Sequence, residues 1–529
     1  MRLRPDPPTT GDVVAGISVA MVLIPQSVAY AVLAGMRPSQ GLIVGAVATI
    51  AAAPFVSSPW LQTGPVAITS LLTFGALAGI ATPGDDTYVA LGAVLALLVG
   101  VIRIVIGVVN AGALAYLMSR PVLSGFTPGA AIVIAASQLP DALGAPAGDG
   151  GVMRQAWTAV TSVGDWEPIT VGLAVVTIAI VVGSKKLPDL VPGVLVAALV
   201  GLAYAQLVGY DGEFVGSLPD VFPTLTFDLP WAEVPGLLVP AAVIGLVGFA
   251  EAAAIARTYA TETRTRWDAD REFVSQGAAN IAAGIFGGFP AGGSFSRSAV
   301  NRAAGAKTAW SGAITGAVVL AFLPFADVLE RLPMAVLAGI IIGAIVSLAD
   351  PRPMLRLRHF SRMQFAIAAT TFVLTIALAP RIQWAVVIGV AAAVIGHLRR
   401  ELMIHANEWT EGDELHLRPH GVLYFGSANV LESQLTNLLH EHPDAQSLVI
   451  HFNSLGRVDV TGAMVIRELC ERAAKAGLST TLRDFTPASR KIIRRVLADC
   501  PHSTIIDDGR GVDDEADSDQ QRAEASRGG

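Results

Sequence analysis

Charge and cysteine are both scarce in this sequence of 529 residues. Only 15% of the residues are charged, against about 25% in soluble globular chains, so the chain cannot cover itself for water. With 53% hydrophobic residues and a mean hydropathy of +0.57, a single soluble domain, a disordered chain and a collagen-like chain are excluded. The two cysteines, Cys470 and Cys500, form neither a Cys-x-x-Cys nor a Cys/His pattern, which predicts reduced structural thiols. The sequence also lacks a Walker A loop, a Ser/His/Asp set and a metal-ligand cluster. No enzymatic activity, cofactor, metal or nucleic-acid partner is expected. The opening MRLRPDPPTT is polar and proline-rich, and does not read as a cleavable signal.

Long apolar runs are abundant. Ile169–Val182 and Gly236–Ala250 approach the ~20 residues that span a bilayer as helix. They are continuous rather than alternating, which argues against a β-barrel. Dividing residues 1–400 at Gly, Pro and charged breaks gives fourteen candidate spans, centred near Ala20, Val47, Leu72, Ala96, Ile132, Val175, Ala198, Ile244, Ala279, Ala299, Val318, Ile341, Thr371 and Val390. Loop charge tests that count. With both termini cytoplasmic, seventeen Lys and Arg residues fall inside, and only Arg37, Arg154, Arg331 and Arg381 fall outside. One span more or fewer would scramble this segregation. The expectation is a multi-pass protein of the inner (plasma) membrane, in contact with lipid and with both ends in the cytoplasm.

Two spans are abnormal. The third opens with Thr63-Gly64-Pro65, and the tenth with Ala291-Gly292-Gly293-Ser294 behind the breaker run Phe286-Gly287-Gly288-Phe289-Pro290. From Ser294 to Arg302 a helix would be about 13 Å long, roughly half of a ~30 Å hydrocarbon core. Helices that begin inside the membrane leave their first N–H groups unpaired, and protein or ligand must satisfy them. Pro65 suits a first helical position and Ser294 an N-cap. The breaks sit in the third span of each half, the best sequence pointer to a transporter site. Each N-terminus carries about half a positive charge, so the pair favours an anion. The alternative is that both clusters are ordinary loops or close-packing positions.

Beyond about residue 404 the pattern changes, and thirteen of the 36 Lys and Arg residues follow from Glu401. Leu415–Phe425, Leu448–Phe452, Thr480–Arg483 and Thr504–Ile506 read as strands. Helices are expected near Val430–Leu439, Gly462–Ala476 and Pro487–Leu497, the last capped by Thr486. This is a small α/β module with a mixed sheet. His397, His405, His416, His420, His440 and His442 lack ligand spacing and read as loop and surface histidines.

Three motifs now carry a resemblance. The run Ile24-Pro25-Gln26-Ser27-Val28-Ala29-Tyr30-Ala31-Val32-Leu33-Ala34-Gly35 resembles the first-span signature of the SulP family of sulfate permeases and related anion transporters. Thr63-Gly64-Pro65-Val66-Ala67 is similar to its third-span entry, and Gly292 to Asn301, followed by Gly305-Ala306-Lys307-Thr308, to its tenth-span signature. The soluble part resembles the STAS domain that ends most members, above all in Asn453-Ser454-Leu455-Gly456-Arg457-Val458-Asp459-Val460-Thr461-Gly462-Ala463.

The resemblance implies fourteen spans in a seven-plus-seven inverted repeat shared with uracil permeases, core and gate domains moving against each other, and a homodimer. The expected division is a cytoplasmic N-terminus at 1–11 and a transmembrane domain at 12–400, with repeats at about 12–210 and 236–400. A STAS domain at 405–507 and an acidic disordered tail at 508–529 follow. The substrate site carries over to Gln26 and Tyr30, to Val66 and Ala67, and to Phe295, Ser296 and Arg297.

The residue chemistry agrees. Gln26 follows Pro25, which frees a backbone carbonyl one turn earlier, and its amide can donate to an oxyanion. Ser296 offers a hydroxyl, and Arg297 a full charge near the half-helix start. The alternatives are an interhelical hydrogen bond for Gln26, and for Arg297 snorkelling or pairing with a carboxylate. Glu251 reads as the one carboxylate well inside a span, where an ionisable group costs about 2.5–3.5 kcal/mol or more and a functional role is the default. It also matches the family's eighth-span acidic position for coupling to protons or sodium. An ion pair with Arg257 or Arg297 is the alternative, and Ser294 and Ser296 would supply oxygens to sodium. Arg103 is left outside the site, as an interface or headgroup residue. Thr461 occupies the neighbourhood phosphorylated in soluble STAS relatives, with helix capping by Asp459 as the simpler role.

The expected function is secondary active transport of a small inorganic oxyanion, sulfate by proton symport, through alternating access. Sodium- or proton-coupled transport of bicarbonate or a dicarboxylate, and anion sensing through the STAS domain, are the alternatives.

Overall fold

Apolar runs interrupted by Gly, Pro and capping residues become helices with sharply placed ends. The computed structural model describes residues 7–116, 118–187, 191–218, 222–226, 228–402, 405–424, 428–497 and 503–506. The first helix, α1 (Thr10–Leu33), starts in a capping box: the Thr9 hydroxyl accepts from the Asp12 N–H, and the Asp12 carboxylate accepts from the Thr9 N–H. Pro38 at the first position of α2 (Pro38–Ala52) fixes φ where no donor is needed.

After α2 come a two-residue strand β1 (Thr63–Gly64) and α3 (Ala67–Leu77), then α4 (Asp86–Val108), α5 (Arg120–Leu143), α6 (Val152–Thr161), α7 (Pro168–Ser184) and α8 (Gly193–Tyr204). The second half runs α9 (Val234–Thr263), α10 (Ala269–Ile285), strand β2 (Gly292–Gly293), α11 (Phe295–Ala303), α12 (Trp310–Phe322) and α13 (Met334–Ile345). It ends with α14 (Arg352–Phe360), α15 (Arg362–Ala377) and α16 (Gln383–Leu402). Every span centre expected from sequence falls in one of these helices, with α6 and α14 as additional short ones. Among the described residues, five stretches are long and apolar enough to cross a membrane: Thr10–Leu33, Asp86–Val108, Arg120–Leu143, Trp231–Thr263 and Trp310–Arg331.

The helices sort into two packed groups, a core and a gate. In the first, α4 lies on α10, α1 and α2 on α12, and α3 on α9. In the second, α5 packs on α15 and α13, and α13 on α7. Equivalent partnerships recur in couples, as an inverted repeat requires: α1 with α12 and α9 with α4, α5 with α15 and α13 with α7, α1 with α11 and α9 with α3. Contacts of α1 with α8 and α13 join the two groups. Loops expected on one side meet one another. The Asp12 carboxylate accepts from the Lys307 and Thr308 N–H groups, whereas at the other end Arg37 donates to the Gly84 carbonyl and pairs with Asp86.

Contacts divide the chain into two units, Met1–Ala393 and Val394–Gly529. The C-terminal one has its own core, in which Leu415, Leu448, Ile450 and Leu482 of the sheet meet Ile466 and Ile493 of the helices. It comprises β3 (His405–Glu411), β4 (Glu414–Leu423), α17 (Ala428–Glu441), β5 (Ser447–His451), β6 (Leu455–Val458), α18 (Val460–Lys475), β7 (Ser479–Arg483), α19 (Pro487–Leu497) and β8 (Ser503–Ile505). The sheet order is β3-β4-β5-β7-β8, with β6 also on β4, and only β3 runs antiparallel to its neighbour.

Three details depart from the sequence reading. Strands β3 and β6 were not expected, because HANEWTE and LGRV are too polar and too short to signal alone. Pro65 is not a first helical residue, since α3 begins at Ala67 with Val66 extended as its cap. His416 is not a surface histidine. It is 5% exposed, stacked on Trp409 with ring centroids 5.0 Å apart, and hydrogen-bonded at 3.0 Å to His451, which bonds Asp484 Oδ2 at 2.6 Å. The expected tail at 508–529 lies outside the described residues.

Candidate anion-binding site

The two breaks meet. Thr63 pairs with Gly293 and Gly64 with Gly292 in an antiparallel two-strand crossover, from which α3 and α11 depart. Glycine is required here by close approach: a Cβ on Gly293 would lie 3.0 Å from Ala252 Cα, on the helix that carries Glu251. The Ser294 N–H donates to the Gln62 carbonyl and the Gln62 N–H to Ser298 Oγ, which lock the crossover to both flanks. Ser294 caps α11 as expected, its hydroxyl accepting from the Arg297 N–H. Val66 gives α3 no side-chain cap, so the first N–H groups of that helix have no intrahelical acceptor.

A buried polar set supports this crossover. Asn280 of α10 holds the Ala291 peptide from both sides, accepting from its N–H at 3.0 Å and donating to its carbonyl at 3.2 Å. One turn away, Gln276 donates to Thr63 Oγ1 at 2.7 Å. Arg103 is fully buried and donates to the carbonyls of Gly245, Ala291 and Ile244. It therefore does not extend to lipid headgroups, pairs with no carboxylate among the described residues, and instead ties α4 to α9 and to the second break. Sequence reasoning passed over Gln276 and Asn280, and of its two readings of Arg103 the interface one fits these bonds. The signal available was Gln276 and Asn280 four residues apart on one face of an otherwise apolar span.

The expected site residues converge. Gln26, Tyr30, Val66, Ala67, Glu251, Phe295 and Ser296 line one cavity of about 450 Å³, which extends to Lys185, Pro192 and Ser347. Arg297 stands directly behind the lining. Its Nη1 donates to Gln26 Oε1 at 3.2 Å. The side chain is wholly buried, so it does not snorkel, and Nε and Nη2 have no hydrogen-bond partner among the described residues. No carboxylate oxygen among those residues lies within 4.0 Å of its guanidinium. A buried cation with unused donors at the start of a half-helix is an arrangement that a small anion completes.

Glu251 is half-buried and faces the cavity. It is not the only carboxylate withdrawn from solvent. Glu272, at the start of α10, is fully buried and accepts from the Ser57 and Ser58 N–H groups at 3.1 and 3.3 Å, which secures the loop before β1. In the C-terminal unit Asp459 caps α18, accepting from the Gly462 N–H at 2.6 Å, and Thr461 is exposed in the first turn.

Comparison with known proteins identifies the family of the chain. Residues 9–371 match the sulfate permease family and residues 408–500 the STAS domain. The chloroplastic sulfate transporter 4.1 of Arabidopsis thaliana is 33% identical over 73% of this chain and 58% of its own. The chain thus spans less than three fifths of that relative's length. Murine solute carrier 26 member A9, an anion transporter solved in the inward-facing state, superposes with a TM-score of 0.82 over 93% of this chain and 89% of that one, at 18% identity. The transmembrane domain of the cyanobacterial bicarbonate transporter BicA gives 0.62 over 73% and 97%, at 26% identity. With more than two thirds of its length matched, this chain belongs to the sulfate permease family, and it is a membrane protein ending in a STAS domain.

Proposed function

We propose that the protein is a secondary active transporter of a small inorganic oxyanion, with sulfate as substrate and a proton as the coupling ion. One observation carries the reading: the buried Arg297 guanidinium, with two donor nitrogens unpartnered among the described residues, stands behind a cavity at the crossing of two broken helices. The names of the relatives are consistent with it.

In this reading the anion lies at the N-termini of α3 and α11, where helix dipoles and free N–H groups favour negative charge. It takes donors from Gln26 and Ser296, feels the charge of Arg297, and rests on the apolar walls of Tyr30, Val66, Ala67 and Phe295. The cavity reaches Lys185 and Ser347, which loop charge assigns to the cytoplasmic side. This is accordingly the inward-open half of an alternating-access cycle. The core helices carry the site, and the gate helices α7, α8 and α13 form the opposing wall.

Glu251 supplies coupling. It shares the cavity with the anion, and an arriving anion competes with it for Arg297. The proton that neutralises Glu251 therefore travels with the substrate, and by linkage each ligand strengthens the binding of the other.

The test is counterflow by the purified protein in liposomes against sulfate, bicarbonate, chloride and fumarate. Sulfate exchange, with accumulation driven by external acid and collapsed by protonophore, is the expected result. A requirement for sodium with bicarbonate as the favoured anion would replace this reading by the alternative that Ser294 and Ser296 beside Glu251 allow. Binding without flux of any anion would replace it by an anion sensor.

A further inference from the structure

Helix α14 is unlike the rest of the membrane unit, in that Met354 is its only buried residue. It is bounded on both sides by apolar helices, α13 and α15, so it lies where the chain turns around at a membrane face. Ser361, with extended backbone, ends α14 and caps α15 through the Gln364 N–H, so the two are separate helices rather than one bent span.

Its composition is one-sided. Arg352, Arg356, Arg358 and Arg362 fall within eleven residues, while Asp350 is the one acidic residue between Arg331 and Arg400. Asp350 is engaged already: both its oxygens accept from Arg352 Nε at 2.9 Å, and these bonds hold its carboxyl below the ordinary carboxylate range. Arg356, Arg358 and Arg362 are exposed, and no carboxylate among the described residues lies within 4.0 Å of them. Among these cations stand large apolar side chains that the described residues leave open: Phe360 is 83% exposed and Leu355 48%.

We infer that α14 is an interfacial anchor that binds anionic phospholipid headgroups of the leaflet it faces. Charge complementarity selects the occupant. Guanidinium groups bind phosphate oxygens in bidentate fashion, while Phe360 and Leu355 enter the acyl boundary beneath the headgroups, as in amphipathic surface helices. A basic cluster next to a membrane helix is the sequence form of anionic-lipid recognition. A soluble polyanion would satisfy the arginines and leave the exposed aromatic ring in water. A lipid satisfies both.

The experiment is native mass spectrometry of the full chain, purified in neutral detergent and titrated with phosphatidylglycerol or phosphatidylcholine. The unmodified protein should retain phosphatidylglycerol selectively, and the selectivity should fall with ionic strength. R356Q/R358Q/R362Q should lose affinity by roughly fivefold for each arginine removed, whereas R356K/R358K/R362K should keep most of it. F360A should weaken retention of both lipids. Glycerophosphate in millimolar excess should not displace the lipid, and if it does, the site takes free phosphate rather than lipid. Removing residues 508–529 should leave retention unchanged, and a marked increase would make the acidic tail the occupant. Should the triple glutamine variant fail to fold, R358Q alone provides the same comparison. Equal retention of phosphatidylglycerol by folded wild-type and glutamine variants overturns the proposal.

Discussion

The guanidinium of Arg297 donates through Nη1 to Oε1 of Gln26 at 3.2 Å, joining the first helix of one half to the broken helix of the other across 271 positions of sequence. This bond turns the acceptor end of the Gln26 amide toward the arginine and leaves its NH₂ group for an acceptor in the cavity. Core helices α1 and α11 are thereby held at the point where the proposed anion sits. Both side chains present donors, and neither presents a carboxylate.

Arg297→Ala should weaken sulfate binding by about one to two orders of magnitude, the scale of one lost charged hydrogen-bond donor. Arg297→Lys should fall between, because an ammonium keeps the charge but not the planar fork. Isothermal titration of the detergent-purified protein, or the upward shift of its melting temperature by sulfate, reads the effect. Unchanged affinity in the alanine variant would remove Arg297 from the site.

Asn280→Leu should destabilise the membrane unit by about 1–3 kcal/mol, because a similar volume replaces a side chain that satisfies a buried peptide. The Ala291 N–H would lose its acceptor, while its carbonyl would keep the bond from Arg103. The melting temperature in detergent should fall by several degrees, and sulfate affinity should fall with it, as β2 and the start of α11 lose their support. A variant that melts at the wild-type temperature would show that Arg103 alone is sufficient to hold the break.

The positions of the two breaks were legible because Gly, Pro and Ser at residues 63–65 and 291–294 leave no other local option. That the breaks pair with each other could be anticipated only from their matching places in the two halves. The supporting set was not legible for a physical reason. Arg103 meets Ala291 across 188 positions and Gln276 meets Thr63 across 213, and such contacts leave no mark on local periodicity. Tertiary context also decided His416. On strand β4 it alternates with Leu415 and Leu417, and Trp409 from β3 together with His451 from β5 makes its place an interior one. The arginines of α14 were visible as cytoplasmic loop charge, but its helical form was not, since two prolines open the segment.

Asp484→Asn should loosen the C-terminal unit by about 1 kcal/mol, the scale for replacing a carboxylate acceptor by a neutral amide. Asp484 adopts φ +61°, a left-handed conformation that asparagine also accepts, so the substitution changes charge and not backbone. His451 would keep at best a neutral amide acceptor in place of the carboxylate at 2.6 Å, which weakens the bond that sets its orientation toward His416. Hydrogen exchange should accelerate in β5 and β7 of the full-length protein, with no change in α4 or α10. Wild-type protection in β5 would mean that stacking on Trp409 fixes the histidine pair unaided.

Glu251→Gln tests coupling, because glutamine reproduces the neutral carboxyl in size and cannot release a proton. Glu251 lines the cavity with Gln26 and Ser296, on the helix that Gly293 approaches at Ala252. It is therefore placed to respond both to the proposed anion and to movement of the crossover. If the proton that enters with sulfate resides on this carboxylate, the variant is permanently in the loaded form. It should then exchange sulfate for sulfate at a rate near that of the wild type, since exchange needs no net proton movement. It should fail to concentrate sulfate when the outside is acidified, and its binding should no longer strengthen as pH falls. Counterflow and gradient-driven uptake, measured in the same liposome preparation, separate these two activities. Full acid-driven accumulation by the variant would make Glu251 structural. Loss of exchange as well as accumulation would place the carboxylate among the groups that hold the anion or the helix, and the proton would have to be carried elsewhere.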